Sequence, residues 1–78
     1  MPNYTNEEKK LAKEFADVLD DQHSLGMHLS YVHQYEEWSL REQLQIALNV
    51  PDNQVRTTRA RYYNFLVRAN GIHKKSNH

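Results

Sequence analysis

The sequence predicts an all-α protein, a small bundle of four helices. Apolar residues recur three or four positions apart in four segments, and helix-capping residues precede several of these segments. No segment alternates apolar and polar residues between turn residues, as a half-buried strand does. A chain of 78 residues can form one modest core, which buries only about 60% of the surface exposed on unfolding. We expect a single helical domain over residues 1–71 and a frayed basic tail over residues 72–78.

The first helix is predicted over about residues 6–20. Thr5 and Glu8 have the spacing of a capping box, in which each side chain accepts a hydrogen bond from a backbone N–H that the first turn leaves unpaired. The apolar residues that follow recur at positions i, i+4, i+7 and i+8, which places them on one face of the helix. These residues are Leu11, Phe15, Val18 and Leu19.

The second helix is predicted over about residues 25–36. Asp21 or Ser24 can cap its start, because both side chains accept hydrogen bonds from free backbone N–H groups. Its apolar face is predicted to consist of Leu25, Leu29 and Val32.

The third helix is predicted over about residues 40–49, with Ser39 and Glu42 as a second capping box. Pro51 prevents its continuation, since proline lacks a backbone N–H and clashes with the preceding turn. Its inward face is predicted to carry Leu40, Leu44, Ala47 and Leu48.

The fourth helix is predicted over about residues 53–69. Asp52 or Asn53 can cap its start, and the pair Asn70-Gly71 suits the left-handed conformation that commonly ends a helix. The predicted inward face consists of Val55, Thr58, Tyr62, Phe65, Leu66 and Ala69.

Charge is distributed unevenly along the chain. Residues 1–52 carry ten acidic and four basic side chains, for a net charge of −6, whereas residues 53–78 carry six basic side chains and no acidic one, for +6. An overall charge of zero therefore conceals two opposed halves. Such asymmetry favours an anionic partner for the C-terminal half.

Leu44, Leu48, Val50 and Val55 supply apolar residues where the third and fourth helices would meet, and Asn49 tolerates the positive φ that a tight turn between them requires. In these residues, the segment from about Gln43 to Tyr62 resembles the helix-turn-helix of bacterial DNA-binding regulators. The resemblance implies that the fourth helix contacts DNA.

A looser resemblance covers more of the chain. Leu40-Arg41-Glu42 through Ala47-Leu48, followed by Arg59 through Tyr62-Tyr63-Asn64-Phe65-Leu66, is similar to the short helical domains of DnaD-like primosomal replication proteins. Small proteins of phages, plasmids and other mobile elements have similar domains. This resemblance implies an accessory role on DNA or on a replication partner.

The outward face of the fourth helix supplies the candidate nucleic-acid contacts. Arginine pairs bidentately with phosphates or guanine edges, and threonine and asparagine contact either backbone or base. We therefore hypothesise a DNA- or RNA-binding module without enzymatic activity. Its predicted contact set is Arg56, Thr57, Arg59, Arg61, Asn64 and Arg68.

Two alternatives involve protein partners. The acidic first half could bind a basic protein, or a patch of apolar residues off the predicted core faces could bind an apolar one. The patch consists of Met27, Tyr31, Trp38 and Ile46. The opposed charge halves could also meet head to tail in a homo-oligomer.

Several other functions are not expected. The sequence has no cysteine nucleophile and no glycine-rich phosphate loop, and its adjacent carboxylates point about 100° apart on a helix, so we predict no enzyme and no cofactor. His23, His28 and His33 are five residues apart and would not converge on a metal if they shared one helix. The absence of cysteine and of any long apolar run indicates a cytoplasmic protein without membrane contact.

Overall fold

The computed structural model describes residues 3–51, 53, 58–69 and 72–75. These residues contain no strand and form four α-helices: α1 (Asn6–Val18), α2 (Leu25–Gln34), α3 (Glu37–Asn49) and α4 (Arg59–Ala69). A short 3₁₀ helix at Gln22–Ser24 lies between α1 and α2. The predicted all-α bundle of four helices is confirmed.

The start of α1 is the predicted capping box. The Glu8 backbone N–H donates to Thr5 Oγ1 at 3.0 Å, and the Thr5 N–H donates to Glu8 Oε1 at 2.8 Å. The helix ends two residues earlier than predicted because Asp20 adopts a φ of 52°. With that left-handed residue, the Asp21 N–H turns back and donates to the Ala16 carbonyl at 2.7 Å, which closes the helix end.

The boundary between α2 and α3 differs from the prediction. The helix α2 ends at Gln34 rather than at residue 36, and α3 begins at Glu37 with Glu36 as its N-cap. The predicted Ser39 cap is therefore wrong. Ser39 lies inside α3, where its buried hydroxyl accepts a hydrogen bond from the His73 backbone N–H at 3.3 Å.

The four helices pack chiefly as two pairs, α1 with α2 and α3 with α4. An ion pair links the two pairs, since the Arg41 guanidinium binds Glu14 of α1 through two nitrogens at 2.8 and 3.1 Å. This hydrogen bonding by Arg41 lowers the pKa of Glu14. The same guanidinium lies 5.6 Å from the centre of the Phe15 ring, so it also forms a cation–π contact.

The core is centred on Tyr63 of α4, which is 1% exposed. Its ring lies 5.8 Å from that of Phe15, 6.0 Å from that of His28 and 6.3 Å from that of Tyr31. One aromatic residue of α4 thus joins α1 and α2, and its burial raises the pKa of the phenol. The other buried apolar residues are Ala12, Phe15, Ala16, Leu19, Val32, Leu40, Leu44, Ala47, Ala60, Leu66, Val67 and Ile72.

The predicted inward faces hold for α3 and fail in part elsewhere. Leu40, Leu44 and Ala47 are buried as expected. In contrast, Val18 of α1 is 47% exposed and Leu25 of α2 is 38% exposed. From α2, Val32 is buried in the core as predicted, and His28, which was not predicted there, is buried with it.

The inward face of α4 was predicted correctly only in part: Leu66 is buried and Tyr62 packs against the core, but Thr58 is exposed. Ala60, Tyr63 and Val67 are buried beside Leu66, whereas Phe65 is 62% exposed and Ala69 is exposed. The helix begins at Arg59, six residues later than predicted, and the Arg61 N–H donates to Thr58 Oγ1 at 3.1 Å. The predicted cap Asp52, the predicted core residue Val55 and the predicted ending pair Asn70-Gly71 lie outside the described residues.

Residues 72–75 are not frayed, contrary to the prediction. Ile72 is buried, and the segment pairs antiparallel with the link between α2 and α3. The Glu36 N–H donates to the His73 carbonyl at 2.9 Å, and the Lys75 N–H donates to the Gln34 carbonyl at 2.8 Å. The predicted tail is therefore part of the fold as far as Lys75, and residues 76–78 lie outside the described part.

Candidate nucleic-acid interface

Arg59 has a structural position rather than a solvent-facing one. Its Nη1 lies within hydrogen-bond distance of three carbonyl oxygens at the end of α3: Ala47 at 2.7 Å, Val50 at 3.0 Å and Leu48 at 3.2 Å. The last carbonyls of a helix lack partners within that helix and carry partial negative charge, which a cation satisfies. The fold thus uses Arg59 Nη1 for its own structure, and a role of Arg59 in nucleic-acid binding stays a prediction.

Asn64 is also engaged within the protein. The Tyr31 hydroxyl of α2 donates a hydrogen bond to its Oδ1, and both side chains are partly buried. Burial raises the pKa of Tyr31, so the hydroxyl stays protonated and able to donate at neutral pH. Asn64 thus connects α4 to α2 and lies at the edge of the exposed face of α4.

Arg61 and Arg68 are exposed, and neither forms an ion pair with another residue of the described part. They are seven positions apart, which places them on the same side of α4. Phe65 lies between them at i+4 from Arg61 and is 62% exposed. We call Arg61, Phe65 and Arg68 the outer face of α4. It is an aromatic ring flanked by two guanidinium groups.

A second aromatic side chain supports Phe65. The Tyr62 ring is nearly parallel to it, with an interplanar angle of 10° and a centroid distance of 6.5 Å. Tyr62 is partly buried and packs against the core cluster. The outer side of α4 therefore has two nearly parallel rings, one partly buried and one exposed.

The other predicted contact residues, Arg56 and Thr57, lie outside the described residues, so their proposed role stays a prediction. Sequence periodicity missed Phe65, which it assigned to the core. One signal could have identified it. Because Ala60, Tyr63 and Val67 form a complete apolar face by themselves, Phe65 is left on the side of the two arginines.

The predicted partner-binding residues do not form one patch. Tyr31 is partly buried in the core cluster. Met27 is partly buried and lines an open cleft of ≈ 460 Å³ that also contains Asp20, Asp21, His23 and Arg61. Trp38 and Ile46, at 54% and 39% exposure, lie together on the outer side of α3. The structure thus separates the predicted set into core, cleft and surface residues.

Two of the three regularly spaced histidines contact the same carboxylate, that of Asp21, which the five-residue spacing did not predict. His23 lies in the 3₁₀ helix and therefore does not follow the helical periodicity of α2. Its Nε2 lies 3.3 Å from Asp21 Oδ1, and His28 Nε2 lies 3.0 Å from Asp21 Oδ2. His28 is buried, and desolvation lowers its pKa despite the carboxylate. His33 is elsewhere, 3.1 Å from Glu8 Oε2.

Glu8 is a hub of contacts at the opposite end of the α1–α2 pair. Partial burial works to raise its pKa, but hydrogen bonds from the Thr5 backbone, His33 and Lys75 outweigh it, so the pKa is lowered. Lys75 Nζ lies 3.3 Å from Glu8 Oε2. This contact removes Lys75 from the set of unpaired cations.

The fold and these contacts define a small four-helix protein that has a basic and aromatic surface on its last helix. Within the described residues, no helix combines the length and the apolar character needed to cross a membrane, and no three His, Cys, Asp or Glu side chains are grouped as metal ligands. Comparison with family models, with curated proteins and with solved structures found no match to the chain.

Proposed function

We propose that the protein binds nucleic acid through the outer face of α4. The observation that supports this most directly is the exposure of Arg61, Phe65 and Arg68 on one face, without an ion pair to either arginine in the described part. An arginine that is already paired with an internal carboxylate has fewer free hydrogen-bond donors and a neutralised charge, so it binds a phosphate weakly. These two retain their hydrogen-bond donors for an external anion.

The spacing of the outer face suits an extended anionic chain. Seven residues of helix separate Arg61 and Arg68 by about 10.5 Å along the axis, so the two guanidinium groups can reach different phosphates of one strand. No acidic residue occurs after Asp52 in the sequence. The carboxylates that share a cleft with Arg61, those of Asp20 and Asp21, come from the first half of the chain, and neither forms an ion pair with Arg61.

Phe65 favours single-stranded over duplex nucleic acid. The faces of bases are covered by their neighbours in a duplex, whereas an unpaired base can stack on an exposed aromatic ring. Guanidinium groups on both sides of the ring can hold the flanking phosphates. A role in replication, in transcription control or in a mobile element rests on the sequence resemblances and is part of this proposal. A cytoplasmic location, which rests on the lack of cysteine and of a long apolar run, is also part of it.

Fluorescence anisotropy with labelled single-stranded DNA, RNA and duplex DNA tests the proposal. The Arg61→Ala/Arg68→Ala variant is expected to weaken binding to all three and to reduce the dependence of log K on log salt by about 2, one for each phosphate contact. Phe65→Ala is expected to weaken single-strand binding about 5- to 150-fold, the range of one lost base stack of about 1–3 kcal/mol, and to affect duplex binding less.

The matched control is Lys9→Ala/Lys10→Ala, which removes the same charge from exposed positions of α1. It should leave the salt dependence unchanged. Equal weakening by the control and by the α4 variant would show that net charge alone governs binding. No binding by the wild type at about 50 mM salt, where electrostatic binding is strong, would refute the proposal.

A second candidate function is protein binding through the outer side of α3, and the exposure of Trp38 and Ile46 favours it. Large apolar side chains grouped at a surface commonly mark interaction sites. Because this surface belongs to α3, the two functions do not use the same residues.

A further inference from the structure

The outer side of α3 contains a groove with an acidic residue between two apolar ones. Trp38, Glu42 and Ile46 follow each other at i, i+4 and i+8 and line a groove of ≈ 360 Å³ whose wall includes Ile72 and His73. A second depression, of ≈ 620 Å³, shares Glu42 and Ile46 and continues to Pro51. Together they extend along the whole length of α3. We call Trp38, Glu42 and Ile46 the α3 face.

The α3 face is ordered in advance of any contact. The Trp38 ring packs against His73 with a centroid distance of 4.8 Å, although the side chain is still 54% exposed. His73 is itself held by its carbonyl, which accepts the Glu36 N–H at 2.9 Å. An anchor that is already fixed loses less conformational entropy when a partner binds.

Glu42 has no ion pair within the described part of the chain, in contrast to Glu8, Glu14 and Glu37, which all have cationic partners. A carboxylate placed between an exposed tryptophan and an exposed isoleucine selects a partner that has a cation beside an apolar group. An anionic or wholly apolar partner would leave this charge unpaired.

The outer face of α4 has this chemistry. With Phe65 between Arg61 and Arg68, it presents an apolar ring beside cations, and the spacing matches the α3 face. Four residues separate Glu42 from Trp38 and from Ile46, and four separate Arg61 from Phe65. Because each interval is about 6 Å of helix, an Arg61–Glu42 pair places Phe65 opposite Trp38 or Ile46, depending on helix direction.

We propose that the α3 face of one copy of this protein binds the outer face of α4 of a second copy. The proposal deepens the second candidate function and does not depend on nucleic-acid binding. Two different surfaces meet, so the contact is heterologous and each added copy leaves one face of each kind unoccupied. One helix-on-helix contact is smaller than the standard interface of about 1,600 Å², and we therefore expect weak, concentration-dependent association.

Sedimentation velocity and light scattering over a range of concentrations test this association. The weight-average mass of the wild type should rise as the protein concentration is increased to roughly 1 mM. That range covers dissociation constants up to about 1 mM, the weakest association that we consider. Raising the salt should lower the association constant by up to about fivefold, the equilibrium factor of one exposed ion pair. Trp38→Ala and Phe65→Ala should each remain monomeric, with an unchanged far-ultraviolet circular dichroism spectrum.

Mixing the two variants distinguishes a heterologous contact from other modes of association. The Trp38→Ala protein retains the outer face of α4, and the Phe65→Ala protein retains the α3 face. Their mixture should therefore form a 1:1 dimer that grows no further. Val18→Ala, which truncates another exposed apolar residue, is the matched control and should associate like the wild type.

A charge reversal gives an independent check. Glu42→Arg should abolish association by placing like charges together, and adding Arg61→Glu and Arg68→Glu in the same chain should restore it. A wild type that stays monomeric throughout the concentration range would overturn the proposal. A mixture of Trp38→Ala and Phe65→Ala that stays monomeric, or single variants that associate normally, would overturn it as well.

Discussion

Replacing Arg59 with alanine should destabilise the fold, and replacing its neighbour Arg61 should not. Arg59 Nη1 lies near the carbonyls of Ala47, Leu48 and Val50, where α3 ends and α4 begins. The two residues are two positions apart in the same helix and have the same side chain. They differ in the contacts that the fold gives them.

The magnitude follows from the nature of these contacts. A hydrogen bond that involves a charged group contributes about 1.5–3 kcal/mol, and a cation at a helix C-terminus contributes a further 0.3–1 kcal/mol. Arg59 is only partly buried, so water can replace part of what the guanidinium supplies. We therefore expect Arg59→Ala to lower the free energy of unfolding by about 1–3 kcal/mol. For a domain of this size, that loss lowers Tm by roughly 4–20 °C.

Thermal and urea unfolding followed by circular dichroism measure the difference. Arg61→Ala should change the free energy of unfolding by less than about 0.5 kcal/mol, as is usual for an exposed residue without specific contacts. Arg59→Lys should recover only part of the loss because an ammonium keeps the charge but lacks the guanidinium fork. If both alanine variants have the same stability, Arg59 does not stabilise the end of α3 and the assignment is wrong.

Two further predictions concern buried residues. The pKa of His28 is lowered in the folded state, so as the pH decreases the unfolded state takes up a proton before the folded state does. The free energy of unfolding should therefore be highest above pH ~6.5 and fall below it, by at most about 1.4 kcal/mol per pH unit. Between roughly pH 7.5 and 5.5, on either side of the ordinary histidine pKa, His28→Gln should remove the decrease in the free energy of unfolding, and His23→Gln should keep it. A wild-type stability that does not change over this range would contradict the argument. Ile72→Ala should cost about 2–4 kcal/mol by leaving a cavity, measured by urea unfolding, whereas exposed Val18→Ala should be near neutral; a neutral Ile72→Ala would mean that residues 72–75 are not part of the core.

The features that sequence predicts well here are local. The Thr5–Glu8 capping box involves two residues three positions apart, so its geometry is contained in the helix start itself. The inward face of α3 was also predicted, because Leu40, Leu44 and Ala47 form the one nearly continuous apolar stripe of that helix. Exposure of Arg61 and Arg68 follows from the same periodicity.

Hydrophobic periodicity could not predict which side of α4 faces the core. Seven of its eleven residues are alanine, tyrosine, phenylalanine, leucine or valine, so two overlapping apolar faces are available. Hydrophobic spacing alone does not choose between a face with Phe65 and a face with Tyr63. The choice depends on the space between Phe15, His28 and Tyr31, which the Tyr63 ring fills. These three residues are far from Tyr63 in the sequence.

Buried polar groups and the C-terminal segment were missed for a related reason. The Asp21–His28 contact buries two side chains that hydropathy assigns to the surface, and the hydrogen bond between them offsets part of the free-energy cost of burying both. Ile72 stands alone without a periodic pattern around it. Its burial depends on the pairing of residues 73–75 with residues 34–36, which are nearly forty positions earlier in the chain.

The two proposals place different ligands on the same three side chains, and that overlap constrains how the protein can act. Nucleic acid and the α3 face of a second copy would both use Arg61, Phe65 and Arg68, so a copy that binds one cannot bind the other through these residues. In a head-to-tail row, only the terminal copy would expose its outer face of α4. Since linkage is reciprocal, nucleic acid that binds this face must weaken self-association as much as self-association weakens nucleic-acid binding. Glu42, a residue of the acidic half, would then occupy the basic outer face of α4 until a more highly charged anion displaces it.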